Sequence, residues 1–229
     1  MDELRNTWMG RSYYRLVHRG LMPLAERVGL TANQATALGL AAAVLVPAGY
    51  LFHPLAGAGM ILLSGFADTM DGMLARSRKQ PSMYGAFLDS CLDRVSDGLY
   101  LMGIWILFWP DHHPLAGGLV MGMCLISTSL ISYAKARAES LGAPLAGGLM
   151  ERAARIVYLL AWTLAVAAIP GAEGTVLWAG ALLYLALTGA TAGRRMFLAK
   201  VLLDRGGNRP GADREGAAGV VSSTASGDA

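Results

Sequence analysis

Six apolar stretches, at about 34–52, 54–75, 84–109, 115–138, 153–169 and 174–198, take up most of this chain. Roughly 20 apolar residues cross a bilayer as a helix, and each stretch approaches that length. Three of the breaks between them hold Pro, Gly or His: His53-Pro54, Pro110-Asp111-His112-His113-Pro114 and Pro170-Gly171. Breaks of this kind are short turns, which make successive helices antiparallel neighbours in a bundle. The pattern predicts an all-α membrane protein with six transmembrane helices. Composition points the same way. The 229 residues are 54% hydrophobic and 15% charged, with a mean hydropathy of +0.43, whereas a soluble domain is about 25% charged. Too few polar residues remain to cover a water-facing surface. A soluble globule is excluded, and so is disorder over most of the chain. Cys91 and Cys124 lie inside apolar stretches, so neither a disulfide framework nor a cysteine zinc site is expected.

The formal net charge of +3 could point to nucleic acid, but the placement of the charges argues against it. Arg5, Arg11, Arg15, Arg19 and Arg27 precede the first stretch. Arg76, Arg78 and Lys79 separate the second from the third. Lys135, Arg137, Arg152 and Arg155 flank the break between the fourth and fifth, and Arg194, Arg195, Lys200, Arg205, Arg209 and Arg214 close the chain. The other three turns hold no Lys or Arg. The positive-inside rule then puts both termini and the two basic turns on the cytoplasmic side of the cell membrane. Over residues 7–28, Leu16, Val17 and Leu21 form an apolar side while Arg11, Arg15 and Arg19 recur every fourth residue. This predicts an amphipathic helix lying on the cytoplasmic leaflet. The expected organisation is an arm with this interfacial helix (1–30), a six-helix transmembrane domain (31–200) and a disordered cytoplasmic tail (201–229).

Acidic side chains within membrane spans are costly, which makes them functional suspects. Asp68 and Asp71 are three residues apart near the cytoplasmic end of the second stretch. Asp89 and Asp93 are four apart near the cytoplasmic start of the third. On helices, both spacings place the two carboxylates on one face, about one turn apart. A short connection lets the two faces converge at one depth. Four carboxylates meeting there repel one another, and Arg76 and Arg94 cannot neutralise them all. Oxygen-only ligands suit Mg²⁺ or Mn²⁺, and four carboxylates can bridge two ions at a spacing suited to phosphoryl transfer. Gly72, Ala75 and Gly85 are small residues beside these acids. They allow a ligand or a neighbouring helix to approach the backbone closely. Arg76 can bind phosphate in a bidentate manner.

Written as a string, the cluster is Asp68-x2-Asp71-Gly72-x2-Ala75-Arg76-x8-Gly85-x3-Asp89-x3-Asp93. At every position this resembles the signature of the CDP-alcohol phosphotransferase family, and the wider likeness covers roughly residues 10–200. The resemblance implies a six-helix membrane enzyme, commonly a homodimer. Such an enzyme moves a phosphatidyl-type group from a CDP-linked lipid, here CDP-diacylglycerol, to an alcohol and releases CMP. It implies that Asp68, Asp71 and Asp89 hold the metals, and that Asp93 is the general base while also touching a metal. Asp68, Gly72, Ala75 and Arg76 would line the CDP-lipid site. The run Thr31-Ala32-Asn33-Gln34-Ala35-Thr36 is similar to the family's Thr-Pro-Asn-x-x-Thr, with Ala32 in place of the Pro. Asn33 and Thr36 thereby become nucleotide contacts, although helix capping accounts for them equally well.

The acceptor is read from a second set of residues. Ser132-Tyr133-Ala134-Lys135-Ala136-Arg137-Ala138-Glu139 and Glu151-Arg152-Ala153-Ala154-Arg155 lie on the cytoplasmic side, with Arg194 and Arg195 approaching from the last stretch. A phosphorylated acceptor calls for such cations, because Arg and Lys pair strongly with phosphate. These strings, and the run from Leu88 to Gly98, resemble the phosphatidylinositol phosphate synthase branch. That resemblance implies inositol phosphate as acceptor, its phosphate held by Lys135, Arg137, Arg152, Arg155 and Arg194, with Arg195 the alternative to Arg194. Asp97 is expected to support the site by contacting the acceptor or pairing with a basic residue. Glycerol 3-phosphate or another polar alcohol is the nearest alternative acceptor. A cation transporter using the same acids is the alternative of another class, but it needs polar groups on a route to both faces. Gly103, Gly117, Gly118 and Gly122 would allow close helix contacts.

Overall fold

The computed structural model of the chain describes residues 20, 22–77, 83–109, 113–169 and 171–207. A short helix, α1 (Met22–Arg27), is followed by six long ones: α2 (Ala32–Phe52), α3 (Pro54–Ser77), α4 (Met83–Ile106), α5 (Pro114–Ser140), α6 (Arg152–Ala168) and α7 (Glu173–Gly207). No strand occurs among the described residues. By length and composition, three are apolar enough to cross a membrane: α2, α5 and the Glu173–Arg205 part of α7. The others fall short for a simple reason. Helices α3 and α4 are 24 residues each but carry the aspartates, and α6 is 17 residues and opens with Arg152 and Arg155. The charges that lower their hydropathy include the aspartates of the Asp68–Asp93 string and the arginines of the Glu151–Arg155 run.

Helix ends follow local chemistry. Thr31 caps α2 in a capping box: its hydroxyl accepts from the Gln34 amide at 3.3 Å, while its own amide donates to Gln34 Oε1 at 2.9 Å. The cap is therefore neither Asn33 nor Thr36. Helix α5 starts on Pro114, whose missing N–H costs nothing at a first turn. It ends in a Schellman turn with Gly142 at φ 79°, Ala143 N donating to Ala138 O at 2.9 Å and Gly142 N to Glu139 O at 3.0 Å. Helix α7 runs past the boundary expected at residue 200. Leu198, Ala199 and Leu203 pack against Ala138, Ala143 and Leu145, so the turn after α5 gives the end of α7 an apolar surface to cover. The interfacial helix expected over 7–28 and the tail beyond 207 fall largely outside the described residues. What is described of the arm, α1, buries Met22 in a small cluster with Ala35, Met73 and Leu74.

The principal helix contacts trace a ring: α2 packs on α3, α3 on α6, α6 on α7, α7 on α5, α5 on α4, and α4 back on α2. The pairs α2/α3, α4/α5 and α6/α7 are joined by the short breaks read from the sequence. The core is apolar but pinned by buried hydroxyls. Tyr50 and Thr163 meet at 2.6 Å, Tyr100 donates to Ser64 Oγ at 2.8 Å, and Ser64 donates to the Gly39 carbonyl at 2.7 Å. Ser127 meets Thr188 at 2.8 Å, and Thr128 meets Tyr184 at 3.1 Å. Small residues permit this closeness: a Cβ on Gly57 would lie 2.3 Å from the Tyr50 ring, and one on Gly103 2.7 Å from it. Gly117 and Gly118 likewise seat Phe108 and Trp105 of the same chain. Helices α2, α4 and α6 begin, and α3, α5 and α7 end, at one end of this ring, where the acidic residues gather.

Candidate active site

Helix α3 brings Asp68 and α4 brings Asp89 and Asp93 to one point. Their nearest carboxylate oxygens all lie within 4.8 Å of one another, and the three residues are half-buried. Opposed oxygens around a small divalent cation stand about 4 Å apart, so this all-oxygen set fits a hard metal ion. The charge around it has the same sense. Asp68, Asp71, Asp89, Asp93 and Asp97 outnumber Arg152 and Arg155, the cations that form ion pairs with them among the described residues.

Asp71, the fourth acid of the motif, lies outside this triad. It is buried on α3, and its Oδ2 accepts the Thr36 hydroxyl at 2.7 Å. Thr36 thus joins α2 to the acidic helix, while Asn33 is exposed near the start of α2. Gly72 and Ala75 are half-buried on α3. Arg76 is in the last turn of that helix, and its side chain lies outside the described residues.

The structure divides the basic residues expected at the acceptor. Arg152 reaches from the first turn of α6 into the acids. Its Nη2 is 3.1 Å from Asp93 Oδ1 and 3.5 Å from Asp68 Oδ1, and its Nη1 donates to the Asp93 carbonyl at 3.0 Å. Arg155, one turn on, is buried; it donates to Asp97 Oδ2 at 2.7 Å and to the Met150 carbonyl at 3.0 Å. Lys135 stands 4.0 Å from Glu139, its side chain 42% exposed, and Arg137 is exposed beside Ser140. Of the pair on α7, Arg194 is exposed and Arg195 is buried. Arg195 shares the inward face with Thr188, Thr191 and Ala192, at helical spacing. It donates to Ile131 O at 2.8 Å, to Gly147 O at 3.3 Å and to Glu151 Oε1 at 3.2 Å. Of the two, Arg195 is therefore the inward arginine and Arg194 the outward one.

Sequence reasoning missed the partner of the acids. It weighed only Arg76 and Arg94 as cations for them and found the two insufficient, and Arg94 turns back to the carbonyl of Ser90 in its own helix. The signal was present in the spacing. Arg152 and Arg155 are three apart, Asp93 and Asp97 four apart, and one turn of each helix faces one turn of the other.

The sequence profile described as CDP-alcohol phosphatidyltransferase matches residues 30–191, which holds the triad, Thr36, Asp71 and Arg152. The chain belongs to the CDP-alcohol phosphatidyltransferase family. Within that family it is 40% identical over 165 residues to the archaetidylinositol phosphate synthase of Methanothermobacter thermautotrophicus, an alignment covering 70% of this chain and 80% of the relative. It is 39% identical over 151 residues to the phosphatidylinositol phosphate synthase of Mycobacterium tuberculosis, covering 63% of this chain and 65% of that one. A crystal structure of the M. tuberculosis enzyme with CDP-DAG bound superposes with a TM-score of 0.66 at 33% identity, over 79% of this chain and 94% of that chain. A second, in complex with manganese and citrate, gives 0.64 at 33% identity, over 78% and 88%. The likeness to these structures thus extends well beyond the signature string.

Proposed function

We propose that this protein transfers the phosphatidyl group of CDP-diacylglycerol to inositol phosphate and releases CMP. The observation that carries the reading is Arg152 seated between Asp68 and Asp93. A cation from the acceptor-recognition string sits in the acidic cluster of the transfer signature, so both substrates are handled at one place. The inositol phosphate names of the relatives support the choice of acceptor.

A divalent cation, Mg²⁺ or Mn²⁺ and in our reading two of them, would be held by Asp68, Asp89 and Asp93 with Asp71 beside them, and would neutralise the CDP diphosphate and the charge developing on departing CMP. The chain supplies the rest. Thr36 orients Asp71, and Asn33, Gly72, Ala75 and Arg76 line the approach of the nucleotide. Asp93 accepts the proton of the acceptor hydroxyl as its oxygen attacks the lipid-linked phosphorus. Arg152 is placed to pair with the acceptor phosphate, with Lys135 and Arg137 at the rim, Arg155 behind it and Arg195 rather than Arg194 as the inward cation of α7. All six long helices cross the cell membrane in this reading, with the acidic end and both termini cytoplasmic, and two copies pair as a homodimer.

The test is an acceptor panel with labelled CDP-diacylglycerol: inositol phosphate, glycerol 3-phosphate, serine and free inositol. Formation of a phosphatidylinositol phosphate lipid with release of CMP, absent with the other three, is the expected result. Equal or better turnover with glycerol 3-phosphate would overturn the acceptor.

A further inference from the structure

Asp97 belongs to neither the signature string nor the Asp68, Asp89 and Asp93 triad, yet it is among the most buried charged groups of the described residues, 6% exposed. It lies one turn beyond Asp93 on α4, and Arg155 one turn beyond Arg152 on α6. The two helices therefore face each other through a ladder of two rungs. The first, Asp93 with Arg152 at 3.1 Å, touches the triad. The second, Asp97 with Arg155 at 2.7 Å, does not. A diagonal connects them: Arg152 Nη1 is 3.5 Å from Asp97 Oδ1. Asp97 thus uses one oxygen on each arginine. Arg155 is fixed at its other end by the Met150 carbonyl at 3.0 Å, just before α6 begins. A buried charge pair needs good geometry and full hydrogen bonding to persist, and it defines one arrangement more sharply than an apolar contact does.

We propose that Asp97 is a positioning residue for the transfer reaction: by anchoring Arg155 and the flank of Arg152, it sets the register of α6 against α4 and thereby places the Arg152 guanidinium on Asp68 and Asp93. Asp97 acts through Arg152 and touches no reacting atom. The inference rests on the transferase reading above.

The test is a double-mutant cycle on the full-length protein in detergent or nanodiscs, reading CMP release from CDP-diacylglycerol with inositol phosphate, together with the thermal midpoint of each variant. Asp97→Asn is expected to lower kcat/KM for inositol phosphate about tenfold or more, with the KM for CDP-diacylglycerol within twofold of wild type. In an Arg152→Gln background the same substitution is expected to change kcat/KM less than twofold, because the group it positions is gone. Should Asp97→Asn leave Arg155 too exposed a buried charge to fold, the paired Asp97→Asn/Arg155→Gln variant carries neither charge and is run through the same cycle. A full, multiplicative loss in the Arg152→Gln background overturns the proposal, as does a lowered thermal midpoint with unchanged kinetics. A wild-type protein that releases no CMP with any acceptor overturns the transferase reading, and this proposal with it.

Discussion

The Thr36 hydroxyl lies 2.7 Å from Asp71 Oδ2 and joins the first turns of α2 to the acidic helix. The same oxygen is 3.0 Å from the Ala32 carbonyl, so the two acceptors compete for its single proton and the carboxylate makes the shorter contact. A hydrogen bond to a charged group contributes roughly 1.5–3 kcal/mol. Thr36→Val, which keeps the shape and removes the donor, is expected to raise the KM for CDP-diacylglycerol about tenfold or more, since tenfold corresponds to about 1.4 kcal/mol. Thr36→Ser restores the donor and is expected to stay near wild type. Steady-state kinetics of the three proteins decide the matter.

Asp93 and Asp68 separate by role in a second experiment. Asp93→Asn is expected to abolish turnover while CDP-diacylglycerol binding largely survives, because the proton acceptor is lost but most oxygen ligands remain. Asp68→Asn is expected to weaken Mn²⁺ binding as well, measured by the loss of the free-ion electron paramagnetic resonance signal on titration. Near-normal turnover in Asp93→Asn would remove that residue from the role of base.

Packing between α2, α3 and α4 offers a prediction unrelated to catalysis. Gly57→Ala puts a methyl group 2.3 Å from the Tyr50 ring, and overpacking of this kind costs about 1–3 kcal/mol. Gly59 has nothing within 4 Å of its would-be Cβ. Thermal unfolding in detergent should show a clear loss for Gly57→Ala and none for Gly59→Ala.

Orientation is checked by labelling. With Cys91 and Cys124 replaced by serine, single cysteines at His113 and Glu173 are expected to react with a membrane-impermeant maleimide added to intact cells. One at Ser140 should react only after the cells are opened. Reaction at Ser140 from outside would turn the whole molecule over, acidic end included.

The six long helices were legible almost to their ends, because apolar runs and Pro or Gly breaks are local properties of the chain. The end of α7 was not, since Leu198 and Leu203 find their apolar partners on the turn after α5, far away in sequence. The acids were legible as a group, because spacings of three and four fix a common helix face. Their division was not. Asp68 and Asp71 point about 60° apart around α3, and only the neighbours decide that one meets α4 while the other meets α2. Helical spacing from Thr188 would have favoured Arg195 over Arg194, had the inward face of α7 been known. Capping chemistry in the Thr31–Thr36 run was readable as a type of interaction, and the structure assigns it to Thr31 and Gln34.

The ring order α2–α3–α6–α7–α5–α4 has a consequence for how the protein is made. The acids of α3 and α4 emerge from the ribosome well before α6, which brings Arg152 and Arg155 to them. Until then the nascent hairpins carry carboxylates that lack these guanidinium partners. Helix α6 must join the open edge at α3, not the side of α5 from which it emerges, and α7 then closes the ring between α6 and α5. The reaction centre is thus finished last, by the hairpin α6/α7, and a chain halted after α5 would hold the whole aspartate motif without the arginines that balance it.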